Sequence, residues 1–197
     1  MLGLILAFPE KQWDDCTVPV NDEPVLRLTE KRLLMSKRID KILAVVREDK
    51  LKTYSLHVLN PVPVSARSKT GALLKAFPDE PFFLVEGSMP LVMPFLVDYL
   101  IGLYHRNEPE AVIPIWRDGT AEVTQAIYEP GPLKSAIEAA LAEGYRGLGK
   151  VVEFLDYEPV SIEELSRRNP KVTLSFLRIR SRMNAEFAEK VLSEAQF

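Results

Sequence analysis

Apolar residues fall along this chain in short continuous runs, separated by stretches in which they recur at helical spacing. Residues 2–8, 41–47, 56–60, 82–85, 111–116, 123–128 and 172–179 read as strands. Several of them, above all Phe82-Phe83-Leu84-Val85, are unbroken apolar runs of the kind found in strands covered on both faces. Helices are expected between them. Val25, Leu28, Met35 and Ile39 recur at helical spacing, with Thr29 available as the cap of a shorter version. Gly71 to Phe77 reads as a short helix, and Phe95 to Tyr104 as a longer one with Pro94 in its first turn. Leu133, Ala136, Ile137, Ala140 and Leu141 form one apolar stripe that Gly144 ends. Leu148 to Phe154 predicts a second short helix, and Ser161 with Glu164 a capping box before Leu165. Met183, Phe187, Ala188, Val191 and Leu192 predict the apolar face of a last helix.

The punctuation sharpens this pattern. Pro61 and Pro63 are expected to terminate the run at 56–60, and Pro114 argues for an edge strand or a bulge, because proline cannot donate to a ladder. Asp118-Gly119 marks a hairpin turn. Strands that alternate with helices imply an α/β fold: three layers, a mostly parallel Rossmann-like sheet and a small antiparallel hairpin, in a single domain over residues 1–197.

Composition narrows the function. A formal charge of −3 gives no electrostatic footprint for nucleic acid. One cysteine, Cys16, allows no internal disulfide and no cysteine zinc cluster, and two histidines do not build a histidine-rich metal site. No run reaches membrane-spanning length, and the apolar stretch at 2–8 has no basic flank, so it reads as a first strand rather than a leader. No membrane association and a cytoplasmic location are the expectations. Oligomeric state is left open.

Candidate chemistry follows from position. Ligands of open α/β sheets bind beyond the carboxyl ends of the strands, which points to Glu86-Gly87-Ser88. Glu86 is the strand-end carboxylate, either available to Mg²⁺ or turned by strand alternation into solvent or against a cation, and Ser88 is placed either to bond a phosphate or ribose or to cap the local backbone. Gly87-Ser88 is not a nucleophile elbow, since Pro90 stands where that motif needs glycine. The loop after the first strand, Phe8 to Trp13, has no glycine to bring backbone N–H groups onto a phosphate, and Lys11 is its only cation. Arg67, Lys69, Arg178, Arg180 and Arg182 form a basic set. On a strand the last three share a face, either as an anion site or as a solvated edge. Asp14, Asp15, Asp22 and Glu23 read as solvated acidic loops, His57 as a core or edge histidine, and Trp116 and Tyr128 as core or rim.

Several segments together resemble a known family. They are Gly3 to Ala7, Pro19 to Val25, Phe82 to Val92, Ala111 to Pro114, Asp118 to Tyr128, Leu133 to Gly144 and Ser175 to Phe187. In order and spacing they are similar to the molybdenum cofactor guanylyltransferases, with Met89-Pro90-Leu91-Val92 and the hairpin at 118–128 the most distinctive pieces. The resemblance implies a nucleotide-diphospho-sugar transferase type of fold, transfer of GMP from GTP to molybdopterin, and Mg²⁺. It directs nucleotide contacts to Ala7, Lys11, Arg67, Lys69, Gly71, Gly87, Ser88, Arg178 and Arg180, while the metal contact expected at Glu86 rests on its strand-end position. The chain departs from the family pattern at the glycine-rich loop, replaced by Phe8 to Asp15, and at the metal-binding aspartate, replaced by Ser88. It departs again at the closing Asn-Val-Asn, replaced by Arg178-Ile179-Arg180, and in the middle glycine stretch, where Arg67 to Gly71 keeps only the last glycine. A non-catalytic binding or regulatory homologue of the same fold, holding a nucleotide or pterin, is the alternative these departures imply.

Overall fold

The structure is a computed structural model and describes residues 1–9 and 16–194. Its first half contains β1 (Leu2–Ala7), a ribbon of β2 (Pro19–Val20) and β3 (Glu23–Pro24), α1 (Val25–Leu34), β4 (Lys41–Arg47), α2 (Leu51–Tyr54), β5 (Pro61–Val64), α3 (Lys69–Lys75) and β6 (Phe82–Glu86). Next come α4 (Pro94–Asn107), β7 (Ala111–Ile115), β8 (Gln125–Tyr128), α5 (Pro130–Ala142), α6 (Leu148–Val151), β9 (Tyr157–Ser161), α7 (Ile162–Arg168) and α8 (Arg182–Ser193). Seven strands make one sheet in the order β5-β4-β1-β6-β8-β7-β9. The first four are parallel to one another, β8 is antiparallel to both β6 and β7, and β9 is parallel to β7.

Successive strand residues point to opposite faces, and here both faces are covered. Leu4, Leu6, Phe82 and Leu84 meet Ala72 and Leu73 of α3 and Leu133, Ala136 and Ile137 of α5. Ile5, Ala7, Phe83 and Val85 meet Leu26 and Leu33 of α1 and Leu96, Val97 and Leu100 of α4. That is why the central runs are continuous rather than alternating, and it yields the three-layer arrangement the sequence predicts. A third cluster, with Val20, Val25, Leu91, Ile179, Ala185 and Ala188, seats α8 beside the β2–β3 ribbon.

Some expectations are corrected. Residues 56–60 form turns and a bend rather than a strand, with Leu56 and Leu59 exposed and His57 in the turn. The strand is β5, which contains Pro61 and Pro63. It pairs only with β4, and prolines at alternate positions place their missing donors on one side, the free outer side of an edge strand. β7 is interior, not an edge. Its ladder with β8 covers only Ala111 and Val112, and beyond the break Pro114 contributes only its carbonyl, which accepts from the Glu122 N–H at 2.8 Å. Residues 172–179 are not a strand, because Pro170–Phe176 is a 3-10 helix that buries Val172, Ser175 and Phe176. The edge position is taken by β9, which the sequence reading missed, and which carries its own Pro159. Helix α1 stops at Leu34, so Met35 is an exposed cap residue, and Thr29 lies inside the helix. On α8 the small residues Ala185 and Ala188 face the core while Met183 and Phe187 are exposed.

Candidate functional site

β6 delivers Glu86 to the carboxyl edge of the sheet, beside the end of β1, with Leu6 in register with Glu86. The chain turns there through Gly87, whose N–H donates to Leu6 O at 3.1 Å. A Cβ at position 87 would lie 3.0 Å from Leu26 Cδ1, 3.1 Å from Cys16 Sγ and 3.2 Å from Ala7 Cα, so close backbone approach requires glycine here. Thr29 Oγ1 of α1 lies 3.0 Å from Val25 O and 3.3 Å from Gly87 O, fixing the turn to the helix layer. Ser88 O accepts from the Ile179 N–H at 2.9 Å, which lays the segment after the last 3-10 helix across the strand end.

That segment brings Arg178 to Glu86. Arg178 Nε lies 3.5 Å from Glu86 Oε2, and its Nη2 donates to Glu122 Oε2 at 2.7 Å and to Thr124 Oγ1 at 2.9 Å. Glu86 Oε1 lies 3.3 Å from Lys69 Nζ, and Ser88 Oγ donates to Glu86 Oε2 at 3.3 Å. The second oxygen of Glu122 accepts from Trp116 Nε1 at 2.7 Å, and the Trp116 ring meets Phe176 edge-on at 5.5 Å. Both carboxylates are buried. Such charges persist only when paired and hydrogen-bonded, and here two carboxylates meet two cations. A buried exchange braces the same region from behind: Ser175 Oγ donates to Gln125 Oε1 at 2.8 Å, while Gln125 Nε2 donates to Ser175 O.

A cleft of about 560 Å³ opens next to this network, at the carboxyl ends of β1, β4 and β5. Phe8, Pro9, Arg47, Glu48, Asp49, Ser65, Ala66 and Arg67 line it. Arg47 grips Asp49 through both guanidinium arms, at 2.5 and 2.6 Å, and reaches Pro9 O at 3.4 Å. Its hydrogen bonds hold the Asp49 carboxyl below the ordinary carboxylate range. The Arg67 side chain is exposed at the rim and makes no ion pair with a described residue. Ser68 caps α3 by accepting from the Gly71 N–H at 3.1 Å.

The sequence-derived candidates therefore divide. Glu86, Ser88, Lys69 and Arg178 come together, and Gly87 makes their turn. Arg67 stands at the cleft. Ala7 is fully buried under Gly87, and the end of β1 presents Phe8 and Pro9 to the cleft instead. Gly71 gives its N–H to the cap. Lys11, with Asp14 and Asp15, lies outside the described residues. The three alternating arginines do not form one cluster. Without a strand at 172–179 they part: Arg178 turns inward, Arg180 is exposed, and Arg182 joins α8 and pairs with Glu186 at 2.8 Å. Glu23 is paired with Arg27 and Lys31 rather than simply solvated. Glu122, Thr124 and the Arg47–Asp49 pair were missed. The strand-end rule that marked Glu86 marks residues 47–49 equally, since they follow the buried run at 41–47.

Glu86 does not present the donor set of a Mg²⁺ site. Both its oxygens are held by cations or a hydroxyl, and Mg²⁺ demands near-ideal octahedral oxygen coordination. Among the described residues no group of three or more His, Cys, Asp or Glu side chains is placed to hold an ion.

No family model matches the chain. The curated relatives it resembles are named as probable molybdenum cofactor guanylyltransferases. One, from Thermococcus sibiricus, is 25% identical over 172 residues, covering 84% of this chain and 87% of the relative. Another, from Pyrococcus furiosus, is 27% identical over 158 residues, covering 79% of each. Among solved structures, molybdopterin-guanine dinucleotide biosynthesis protein A from Archaeoglobus fulgidus superposes with a TM-score of 0.78 at 17% identity, covering 98% of this chain and all of that one. A cytidylyltransferase from Leptospira borgpetersenii gives a TM-score of 0.70 at 18% identity, over 98% of this chain and 86% of the other. The chain thus has the nucleotidyltransferase fold, and by sequence it is similar to proteins named as probable molybdenum cofactor guanylyltransferases.

Proposed function

We propose that this chain is a guanylyltransferase-like protein of molybdenum cofactor biosynthesis, binding GTP in the cleft at the ends of β1, β4 and β5 and directing its phosphates toward Arg67 and the β6 end. The reaction is attack of a pterin phosphate oxygen on the α-phosphorus of GTP, with pyrophosphate as leaving group. The observation that carries the reading is the position of the cleft: it opens at the carboxyl edge of the sheet, where open α/β sheets take ligands, in a chain similar to guanylyltransferases over 84% of its length. Arg67, exposed at the rim, supplies a guanidinium whose fork suits phosphate. Calorimetry with GTP, ATP and CTP tests this; GTP binds in preference, and the absence of binding at millimolar nucleotide sinks the reading. Incubation with GTP and molybdopterin then asks for the dinucleotide product.

A second reading is favoured by one observation. The Lys69–Glu86–Arg178–Glu122 linkage leaves the strand end internally neutralised, as suits a homologue that binds nucleotide or pterin without transfer. GTP binding with no dinucleotide formed selects it.

A further inference from the structure

We propose that Lys69 and Arg178 supply the positive charge at the carboxyl end of β6 from the protein itself, so that this position takes a phosphoanion without a divalent ion. The inference rests on the proposed function only in placing the β6 end within the ligand site.

Three observations carry it. First, Glu86 is the carboxylate that a strand-end metal would need, and its oxygens lie 3.3 Å from Lys69 Nζ and 3.5 Å from Arg178 Nε. An ion arriving there meets two cations before it meets a free ligand. Second, among the described residues the ion pairs at this strand end match in charge. Lys69 and Arg178 balance Glu86 and Glu122, and the remaining Glu122 oxygen is held by Trp116. Nothing in this set asks for a further cation. Third, the cations are reachable. Their side chains keep 15% and 19% of their exposure against 8% for Glu86, so a ligand meets the donors ahead of the carboxylate they pair with. A phosphate oxygen accepts from an ammonium or a guanidinium much as a carboxylate does. A phosphoanion therefore exchanges with Glu86 for the same donors, and Glu86 holds their place when none is bound. Arg178 remains anchored through Glu122 and Thr124 during the exchange.

The test uses thermal unfolding of the whole chain, with sodium tripolyphosphate as the probe in EDTA, and with Mn²⁺ alone. Tripolyphosphate raises the wild-type midpoint in EDTA, and Mn²⁺ alone does not. Glu86→Gln removes the competing charge and binds tripolyphosphate about tenfold more tightly, the loss of one competing charged hydrogen bond. Lys69→Gln loses the shift. The proposal is overturned if Mn²⁺ alone stabilises the wild type and Glu86→Gln abolishes that effect, if tripolyphosphate acts only with Mn²⁺, or if it does not act at all. Should Glu86→Gln fail to fold, the EDTA-insensitive shift of the wild type and its loss in Lys69→Gln decide the matter. Tripolyphosphate binding without GTP binding removes the proposed function and keeps this inference; GTP binding that depends on Mg²⁺ does the reverse.

Discussion

Arg178 and Glu122, 56 residues apart in the sequence, meet through Nη2 and Oε2 at 2.7 Å. The contact joins the segment after the last 3-10 helix to the hairpin between β7 and β8, and the same guanidinium touches the end of β6. Breaking a buried pair costs about 3–5 kcal/mol, and the partial exposure of Arg178 trims this to about 2–3 kcal/mol. Arg178→Ala is expected to lower the urea-unfolding free energy by that amount. Glu122→Gln costs less, since its amide oxygen still accepts from one of Arg178 and Trp116, while its NH2 is set against the other donor. A loss of less than about 0.5 kcal/mol in Arg178→Ala would show the pair to be a screened surface contact.

Gly87→Ala places a methyl against Leu26, Cys16 and the backbone of Ala7, at 3.0 to 3.2 Å. The first two can shift slightly and the third cannot. A destabilisation of about 1–3 kcal/mol is expected from overpacking. Denaturant unfolding reads it, and nucleotide titration of the same variant shows whether the strand end has been displaced.

Arg67→Ala separates binding from stability. The side chain is exposed and makes no ion pair with a described residue, so the unfolding midpoint stays within experimental scatter. GTP affinity is expected to fall about tenfold, the worth of one charged hydrogen bond to phosphate. An unchanged calorimetric Kd would remove Arg67 from the site.

Glu30 gives a pH signature. It is buried in α1, accepts from the Leu59 N–H at 2.8 Å, and its burial raises the carboxyl above its ordinary value of 4.5. The folded chain therefore holds this proton more tightly than the unfolded one. Glu30's contribution to stability is greatest below the ordinary value and declines as pH rises through the raised one. Over the interval upward from the ordinary value in which the raised group loses its proton, Glu30→Gln is expected to show a stability profile flatter than that of the wild type. Urea midpoints across the interval measure it, and parallel profiles would show that Glu30 titrates normally.

How much was legible in the sequence depended on what each residue reports. Phe82 to Val85, Lys41 to Arg47 and the α5 stripe announce themselves because burial on two faces, or on one stripe, writes a pattern into consecutive residues. Edge strands do not. β5 and β9 contain Pro61, Pro63 and Pro159, tolerated only because one side of an edge strand needs no donors, and neighbours in the sheet cannot be read from a single strand. The segment at 172–176 misled because apolar residues at Val172 and Phe176 fit a helical repeat as well as a strand run. At the site, Glu86, Ser88, Lys69 and Arg178 were visible as chemistry at a strand end or in a basic set. Their pairing was not, because Glu122 and Arg178 are brought together only by the break at Pro114 and the hydrogen bond from Ile179 to Ser88.

The placement of Ile179 across Ser88 has a consequence for biosynthesis. Every strand of the sheet lies before Ile162, so a nascent chain can complete its sheet before Arg178 has emerged from the ribosome. Until then Glu86 and Glu122 lack their shared guanidinium, and Lys69 is the cation that faces Glu86 at the β6 end. The order of synthesis thus separates completing the sheet from closing the charge network at its β6 end.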